Sequence, residues 1–281
     1  VPLIHDKTYI PTILEICRRE DIHAITTLID PEIAILAENR EAFEALGITV
    51  LAPYSDTAAL CFDKYKMAEY LTKKGIPTIK TYGTFAAFQQ AYHRGEIAFP
   101  VFVKPRTGSG SVGARRVDTF EMLEEITVSD PSMIIQEFMD GEDMDADIYT
   151  ISHKPVAIFT KKKISTTIGG ANKTISFRDD ALFSFIEEAL LVFAFNGPLD
   201  MDLFYRNGQY YLSEINPRFG GAYLHAYGVG VDFPSYIYEN VQQKRENAVH
   251  IGDYQEDVVM MMYDSVVVET LSEINKNMVK I

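Results

Sequence analysis

Apolar and polar positions along the chain follow two alternating periods. Residues 7–20 (KTYIPTILEICRRE) put Ile10, Ile13, Leu14 and Cys17 on one face at helical spacing, and HAITTLI (23–29) is a short continuous run of the kind buried strands show. DPEIAILAENREAFEAL (30–46) reads as one helix, with Asp30 as N-cap, Pro31 at the first helical position and Gly47 as the stop. ITVLAP (48–53) is a second strand, so this opening predicts a small βα unit with a parallel sheet. Asp63 then caps KYKMAEYLTKK and Gly75 ends it, TFAAFQQAYHR (84–94) is a short helix, and FPVFVKP (99–105) is a strand. A helix DTFEMLEEI capped by Asp118 follows. Strands are expected at MIIQEF (133–138), DADIYTIS (145–152) and KPVAIFTKKK (154–163), with a loop ISTTIGGANKT over 164–174. RDDALFSFIEEALLVFAF (178–195) reads as a long amphipathic helix, and residues 199–218 as a hairpin turning at Asn207-Gly208. The last sixty or so residues mix a helix, PSYIYENVQQKR, with a strand, VVMMMYDSVVV.

Composition narrows the class. With 47% hydrophobic and 23% charged residues over 281 positions, the chain carries enough apolar material for a packed core. The net charge of −14 disfavours a nucleic-acid partner, because a phosphate backbone is repelled, although a small anion needs only a local cationic pocket. Two cysteines, Cys17 and Cys61, make no disulfide framework or metal spacing. With no apolar run long enough to span a bilayer, the expectation is a cytoplasmic protein without a membrane partner. Val1 opens the chain on what reads as a loop, so we expect the sequence to begin inside a longer polypeptide.

The glycine stretch RTGSGSVG carries a G-x-G-x-x-G pattern at Gly108, Gly110 and Gly113. A dinucleotide fingerprint would open a helix directly and place an acid about twenty residues on. Here ARRV follows, which is strand-like, so the glycines lie between two strands as a flexible hairpin whose backbone N–H groups can close over phosphates. A protein-kinase lid has the same shape, but its companion motifs are absent, as is a Gly-Lys-Ser/Thr of Walker type. Lys104 precedes the stretch among buried-type neighbours and suits a phosphate oxygen, the plain alternative being an edge-strand lysine.

The second informative stretch is MDLFYRNGQYYLSEINPRFGG (201–221). Asp202 and Glu214 each lie six residues from Gly208 and are expected to face one another across the hairpin. Glu214, Asn216 and Arg218 share a strand face, and Asp200 sits one step along Asp202's face. Facing carboxylates with an amide oxygen suit Mg2+ carried by a nucleoside triphosphate, the alternative being a solvated acidic edge.

Taken in order, Lys64 in DKYKMAEYL, Lys104 in FPVFVKP, the loop RTGSGSVG, IIQEFMDGED, and Asp202 with Glu214-Ile-Asn216-Pro-Arg218 resemble ATP-grasp enzymes, nearest the carbamoyl-phosphate synthase large chain and its small stand-alone relatives. The resemblance runs from about Pro53 to about Pro234. It implies an α/β (α+β) ATP-grasp fold behind a truncated Rossmann-like pre-ATP-grasp unit over 1–54, with the ATP-grasp domain over 55–281. Within that domain a lid subdomain is expected over about 78–136 and a nucleotide and metal subdomain over about 137–281.

The resemblance also implies roles. Lys64 and Lys104 would hold phosphates under a lid of Gly108, Ser109, Gly110, Ser111 and Gly113. Glu137, Phe138 and Met139 would form the adenine hinge, and Glu142 or Asp143 would take the ribose hydroxyls. Asp202, Glu214 and Asn216 would bind Mg2+ (or Mn2+), and Arg218 with Lys104 would act on the transferring phosphoryl or acyl phosphate. Lys161 and Lys163 would either line the nucleotide site or belong to a solvated KKK run.

The implied activity is an ATP- and Mg2+-dependent ligase that activates a carboxylate or bicarbonate as an acyl phosphate for attack by an amine. A carbamoyl-phosphate-type phosphotransferase and a non-catalytic nucleotide-binding module are the alternatives. A carbamoyl-phosphate synthase large chain has two such halves and this chain one, and no glutaminase is visible, so a homo-oligomer or a partner subunit is left open. The acceptor is expected among 219–234, 164–174 and Arg178, with His225 read as structural rather than as a base, and Asp232 as an N-cap.

Overall fold

The computed structural model describes residues 1–108, 113–167, 170–266 and 268–273. Its first unit contains α1 (Tyr9–Arg19), β1 (Ala24–Ile25), α2 (Asp30–Glu38), α3 (Arg40–Glu44) and β2 (Thr49–Val50). β1 and β2 pair in parallel, as the βα alternation requires, but each holds only two residues instead of the longer strands expected. The expected single helix over 30–46 is broken at Asn39, and its N-cap is Ile29, so Asp30 is freed to use its carboxylate elsewhere. Cys17, Leu36, Phe43, Ile48 and Val50 form the core of this unit. Arg40, buried, donates to the carbonyls of Val50 and Pro53 and closes off the end of β2.

α4 (Ser55–Phe62) was not anticipated, because its apolar residues lie in one short block without a clear period. It leads into α5 (Lys64–Lys74), which is capped as expected: Asp63 accepts from the Lys66 N–H, and Gly75 takes the left-handed φ of 77° that ends the helix. A four-stranded antiparallel sheet follows, built from β3 (Thr81–Tyr82), β4 (Val101–Pro105), β5 (Arg115–Val117) and β6 (Met133–Glu137), in spatial order β3-β6-β4-β5. α6 (Phe85–His93) and α7 (Phe120–Ser129) cover it, with Phe85, Phe88, Phe99 and Phe120 packed edge to face between them. The N-cap of α7 is Thr119 and not Asp118, which is instead paired with Arg116.

A larger sheet holds β7 (Glu142–Ile151), β8 (Lys154–Thr167), β9 (Gly170–Ser176), β10 (Gly197–Arg206), β11 (Gln209–Asn216), β12 (His250–Ile251) and β13 (Val259–Met261). Among the described residues the order is β11-β10-β7-β8-β9-β13, with β12 added parallel to β8. Of the segment 164–174, expected as a loop, residues 164–167 continue β8 and residues 170–174 belong to β9, with Ser165, Thr166 and Thr167 paired to Lys173, Ala171 and Gly170. The C-terminal strand is only Val259–Met261. α8 (Asp180–Leu190) is shorter than the 178–195 expected, starting at the Asp179 cap and ending before the Leu191–Phe195 segment turns toward β10. α9 (Leu224–Gly228) and α10 (Phe233–Val241) complete the fold, and Asp232 caps α10 by accepting from the Ser235 N–H.

The faces of this sheet differ. Met144, Ala146, Ile148, Leu199, Met201 and Leu203 pack with α5 and α8 in one apolar core. The opposite face carries Asp143, Asp145 and Asp147 on β7, Lys161 and Lys163 on β8, and Asp200 and Asp202 on β10. Most of these charged residues are buried nonetheless.

The entry to β7 is fixed by a close approach. A Cβ added at Gly141 would lie 2.2 Å from the Tyr205 carbonyl oxygen on β10. Gly141→Ala should therefore push two strands apart and lower stability by about 2 kcal/mol or more, read as a fall in the urea midpoint; an unchanged midpoint would show that this approach is not required.

Candidate functional site

The hairpin β10–β11 brings the predicted carboxylates together, by a route that simple counting misses. A regular two-residue turn pairs Arg206 with Gln209 and would place Asp202 opposite Ser213. An irregularity between Asp202 and Leu203 shifts the register, so that Asp202 faces Glu214 and Asp200 faces Asn216. Asn207 and Gly208 supply the turn, with φ of 54° and 82°.

Glu214 sits between two ammonium groups, with Lys64 Nζ at 3.1 Å and Lys104 Nζ at 3.3 Å. Both lysines are nearly buried, with 8% and 11% of their side chains exposed, so Lys104 is no edge lysine. Lys64 is carried there by the first turn of α5. Its own backbone N–H donates to Arg106 O (3.0 Å), and the Arg106 guanidinium grips the Asp63 cap through two bonds of 2.8 and 2.7 Å. This clamp ties the start of α5 to the end of β4 where the glycine stretch begins. Burial alone would raise Asp63, but Arg106 and the Lys66 N–H outweigh it and hold the carboxyl below its ordinary value. Lys64 Nζ also donates to the Gly108 carbonyl. Gly108 and Gly113 take left-handed φ values of 98° and 77°, and β4 and β5 on either side are antiparallel neighbours. Ser109, Gly110 and Ser111, the middle of the expected lid, lie outside the described residues.

Behind the hairpin the inward charges form a ladder. Lys163 Nζ lies 2.9 Å from Asp143, 2.7 Å from Asp145 and 2.5 Å from Asp202. Lys161, with no exposed surface, donates to Asp147 and lies 4.0 Å from Asp145. Of the KKK run only Lys162 faces outward, toward Glu142 at 2.6 Å. Asp143 is thus on the same side as Asp202 while Glu142 is not, which leaves Asp143 facing the site. Asn216 Nδ2 donates toward Asp202 (3.2 Å) and Asp200 (3.4 Å), which turns its amide oxygen the other way. Burial, then Asp200 and Asp202, drive Asp145 well above the ordinary carboxylate range, against the pull of Lys163 and Lys161. Asp147 Oδ1 accepts no hydrogen bond and is covered by Gly220, where an added Cβ would come within 2.6 Å.

Other expected residues are placed differently. The Glu137 N–H donates to the Lys80 carbonyl (2.9 Å) and its carboxylate pairs with Arg206 (2.7 Å), so this residue offers a hinge only its carbonyl. Phe138 lies under the Arg116 guanidinium at 5.0 Å, and Met139 is buried. Arg218 reaches out of the hairpin to Asp30 in the first turn of α2 (2.7 Å), a cross-unit pair no local pattern announces. His225 is buried: its Nδ1 is hydrogen-bonded with Thr174 (2.7 Å), Phe159 stands edge-on at 5.0 Å, and burial followed by Lys161 pulls the imidazole down to about 4. Arg178 lies on another face, its N–H donating to Glu256. The cleft beside Glu214 is lined by α2 and α4, and none of the residues expected around an acceptor lines it.

Sequence reasoning overlooked Asp145 and Asp147. Their signal was present as D-x-D-x-D at positions 143, 145 and 147, a period of two that matches Lys161 and Lys163 across the strand pair.

Among the described residues no group of three or more His, Cys, Asp or Glu gathers as a metal cage. Asp202 and Glu214 face one another across the hairpin as hard oxygen donors that suit Mg2+, with lysine ammoniums beside both, while Asn216, whose Nδ2 is turned toward Asp202, would offer the same ion its Oδ1 with the amide reversed.

The ladder makes stability depend on pH. Burial, then Asp202, pushes Asp200 up to about 7, whereas a free aspartate titrates near 3.9. The folded chain therefore binds an extra proton between those values, and this group's contribution is full at low pH and is lost as pH rises through about 7. Asp200→Asn should flatten the fall in urea midpoint from about pH 4 to about pH 8 by up to one proton's worth of slope; an identical slope would count against this burial.

An ATP-grasp domain family matches residues 61–222, more than half of the chain, and the family described as PylC-like, N-terminal domain matches residues 1–51. The arginine-specific large chain of carbamoyl phosphate synthase from Bacillus subtilis (strain 168) is 20% identical over 219 residues, which are 73% of this chain and 21% of that one. The chain thus spans about a fifth of that relative. Biotin carboxylase from Campylobacter jejuni has the same fold (TM-score 0.71, 17% identity, covering 89% of this chain and 61% of that one). So has N5-carboxyaminoimidazole synthetase from Staphylococcus aureus, solved with ADP (TM-score 0.69, 15% identity, 88% and 66% covered). With the paired lysines, the glycine stretch and the Asp202–Glu214–Asn216 face already in place, the match over 61–222 means that the chain belongs to the ATP-grasp family.

Proposed function

We propose that the chain is an ATP- and Mg2+-dependent ligase that activates a carboxylate as an acyl phosphate for attack by an amine. The observation that supports this most is Glu214, held between Lys64 and Lys104 and facing Asp202 across the hairpin. Two buried ammoniums on one carboxylate form a site prepared for more negative charge than the chain itself supplies.

Lys64 and Lys104 bind phosphate oxygens of the nucleotide, and their rigid seats on α5 and β4 fix its orientation. Asp202, Glu214 and Asn216 hold Mg2+, which when bound neutralises charge on the phosphoryl oxygens. Phe138 and Met139, with the Glu137 carbonyl, border the adenine, and Asp143 faces the ribose. Arg218 steadies the acyl phosphate from the side of α2. The glycine stretch closes over the phosphates and keeps water from the activated carboxylate. α5, β4 and the β10–β11 hairpin supply positioning and charge, with no covalent intermediate on the protein. The relatives named above are a carbamoyl phosphate synthase chain, a biotin carboxylase and a carboxyaminoimidazole synthetase, and the ligase reading carries over to this chain as our proposal.

Glu214→Gln should lower ADP release from MgATP in the presence of carboxylate and amine by about a thousandfold, measured on protein that is folded at the assay temperature because the change also lowers the urea midpoint by leaving two nearly buried ammoniums without their carboxylate. Turnover that survives the substitution would remove Glu214 from the machinery. ADP release that rises with a carboxylate alone and is indifferent to an amine would favour phosphotransfer over ligation.

A further inference from the structure

The cleft beside Glu214 has a chemistry that the nucleotide does not explain. It holds about 420 Å³ of solvent-open empty space between α2, α4 and the end of β11. Ile33 and Ala34 of α2 and Ala58 and Phe62 of α4 line it; Ile33 and Ala58 are buried in one cluster, so Ala34 and Phe62 offer its open apolar surface, and Lys64 and Glu214 stand at its polar end. The two alanines keep the slot open where larger side chains would close it. Phe62 is 43% exposed on this wall, an aromatic left uncovered beside a charged site. Asp30 also borders the cleft, its carboxylate already paired with Arg218, which leaves Lys64 as the cation on the lining itself.

We propose that this slot receives the aliphatic chain of the carboxylate substrate, whose carboxyl group lies at the Lys64 end. The inference rests on the ligase reading and gives its substrate class: a carboxylic acid with an apolar chain, α-amino acids among them, and not bicarbonate. Bicarbonate has no apolar surface to bury, and a site built for it alone has no use for an aliphatic wall running away from the phosphates. An acid of this class gains affinity with each methylene that the wall covers.

The chain contains no tryptophan, so Phe62→Trp places a single fluorescent reporter on the wall at an already exposed position. With MgADP present, the variant is titrated with acetate, butyrate, hexanoate and bicarbonate. The expected result is a saturable change in emission that tightens by about fourfold for each methylene added until the slot is filled, with no response to bicarbonate. Adding Ala34→Leu should abolish the dependence on chain length while MgADP affinity, measured by calorimetry, stays within about twofold. Ala34→Val serves the same purpose should the leucine variant melt early. Equal affinity for acetate and hexanoate, or a bicarbonate response that competes with hexanoate, would overturn the proposal. Binding that depends on chain length without ADP release would keep the slot and sink the ligase reading; ADP release indifferent to chain length would do the reverse.

Discussion

The fold around the site depends on one buried cation. Lys161 has no exposed surface, and its ammonium is satisfied by Asp147, with Asp145 and Asp200 close by. An uncompensated charge at that depth would not be tolerated. Three strands must therefore meet in one register, because the partners come from β7, β8 and β10. The same register aligns Asp202 with Asp145 and so presents the hairpin carboxylates at the rim of the ladder. An apolar set of similar volume would hold the sheet at least as well. The charged arrangement is understandable as support for a site that has to hold carboxylates at fixed positions.

The amino-terminal unit is stitched to this sheet at several points. Asn196 Nδ2 donates to Val50 O, the Ala194 N–H to Thr57 Oγ1, and the Tyr54 N–H to Ala194 O. Gly197, with φ of 110°, lets β10 begin within 2.9 Å of where a Cβ would meet the Leu51 backbone. Together with the Arg218–Asp30 pair, these contacts set α2 and α4 against the end of β11. A unit with only two-residue strands thus contributes walls to a cleft whose polar end comes from elsewhere in the chain.

Much of this was legible in the sequence where a local rule decides the outcome. The Asp63 and Asp232 caps, the Gly75 stop and the Asn207-Gly208 turn follow from backbone hydrogen bonding and φ preferences that neighbouring residues cannot override. Lys104 and the carboxylate hairpin were readable from strand neighbours and spacing, whereas Lys64, on a helix, entered only through the resemblance. The failures have a common physical cause. Lys80 O claiming the Glu137 N–H, Asp30 claiming Arg218, and Lys163 claiming three aspartates are all long-range pairings between polar groups. No window of consecutive residues contains both partners. β9 was missed because Gly170, Asn172 and Thr174 look like loop chemistry, although Lys173 and Thr174 find partners across the strand pair.

The irregularity between Asp202 and Leu203 has a consequence for evolution and engineering. The turn alone would leave Asp202 opposite Ser213, and the offset moves it to Glu214. The length of this hairpin is therefore a counted quantity. An insertion or deletion of one residue on either arm would rotate a carboxylate to the wrong side of the sheet without changing a single side chain of the site. Lineages that keep the chemistry should keep the number of residues in the hairpin, and in its turn residues that accept a positive φ. A graft of the Glu-x-Asn-x-Arg segment onto another strand would carry the letters and lose the geometry unless the offset travelled with it.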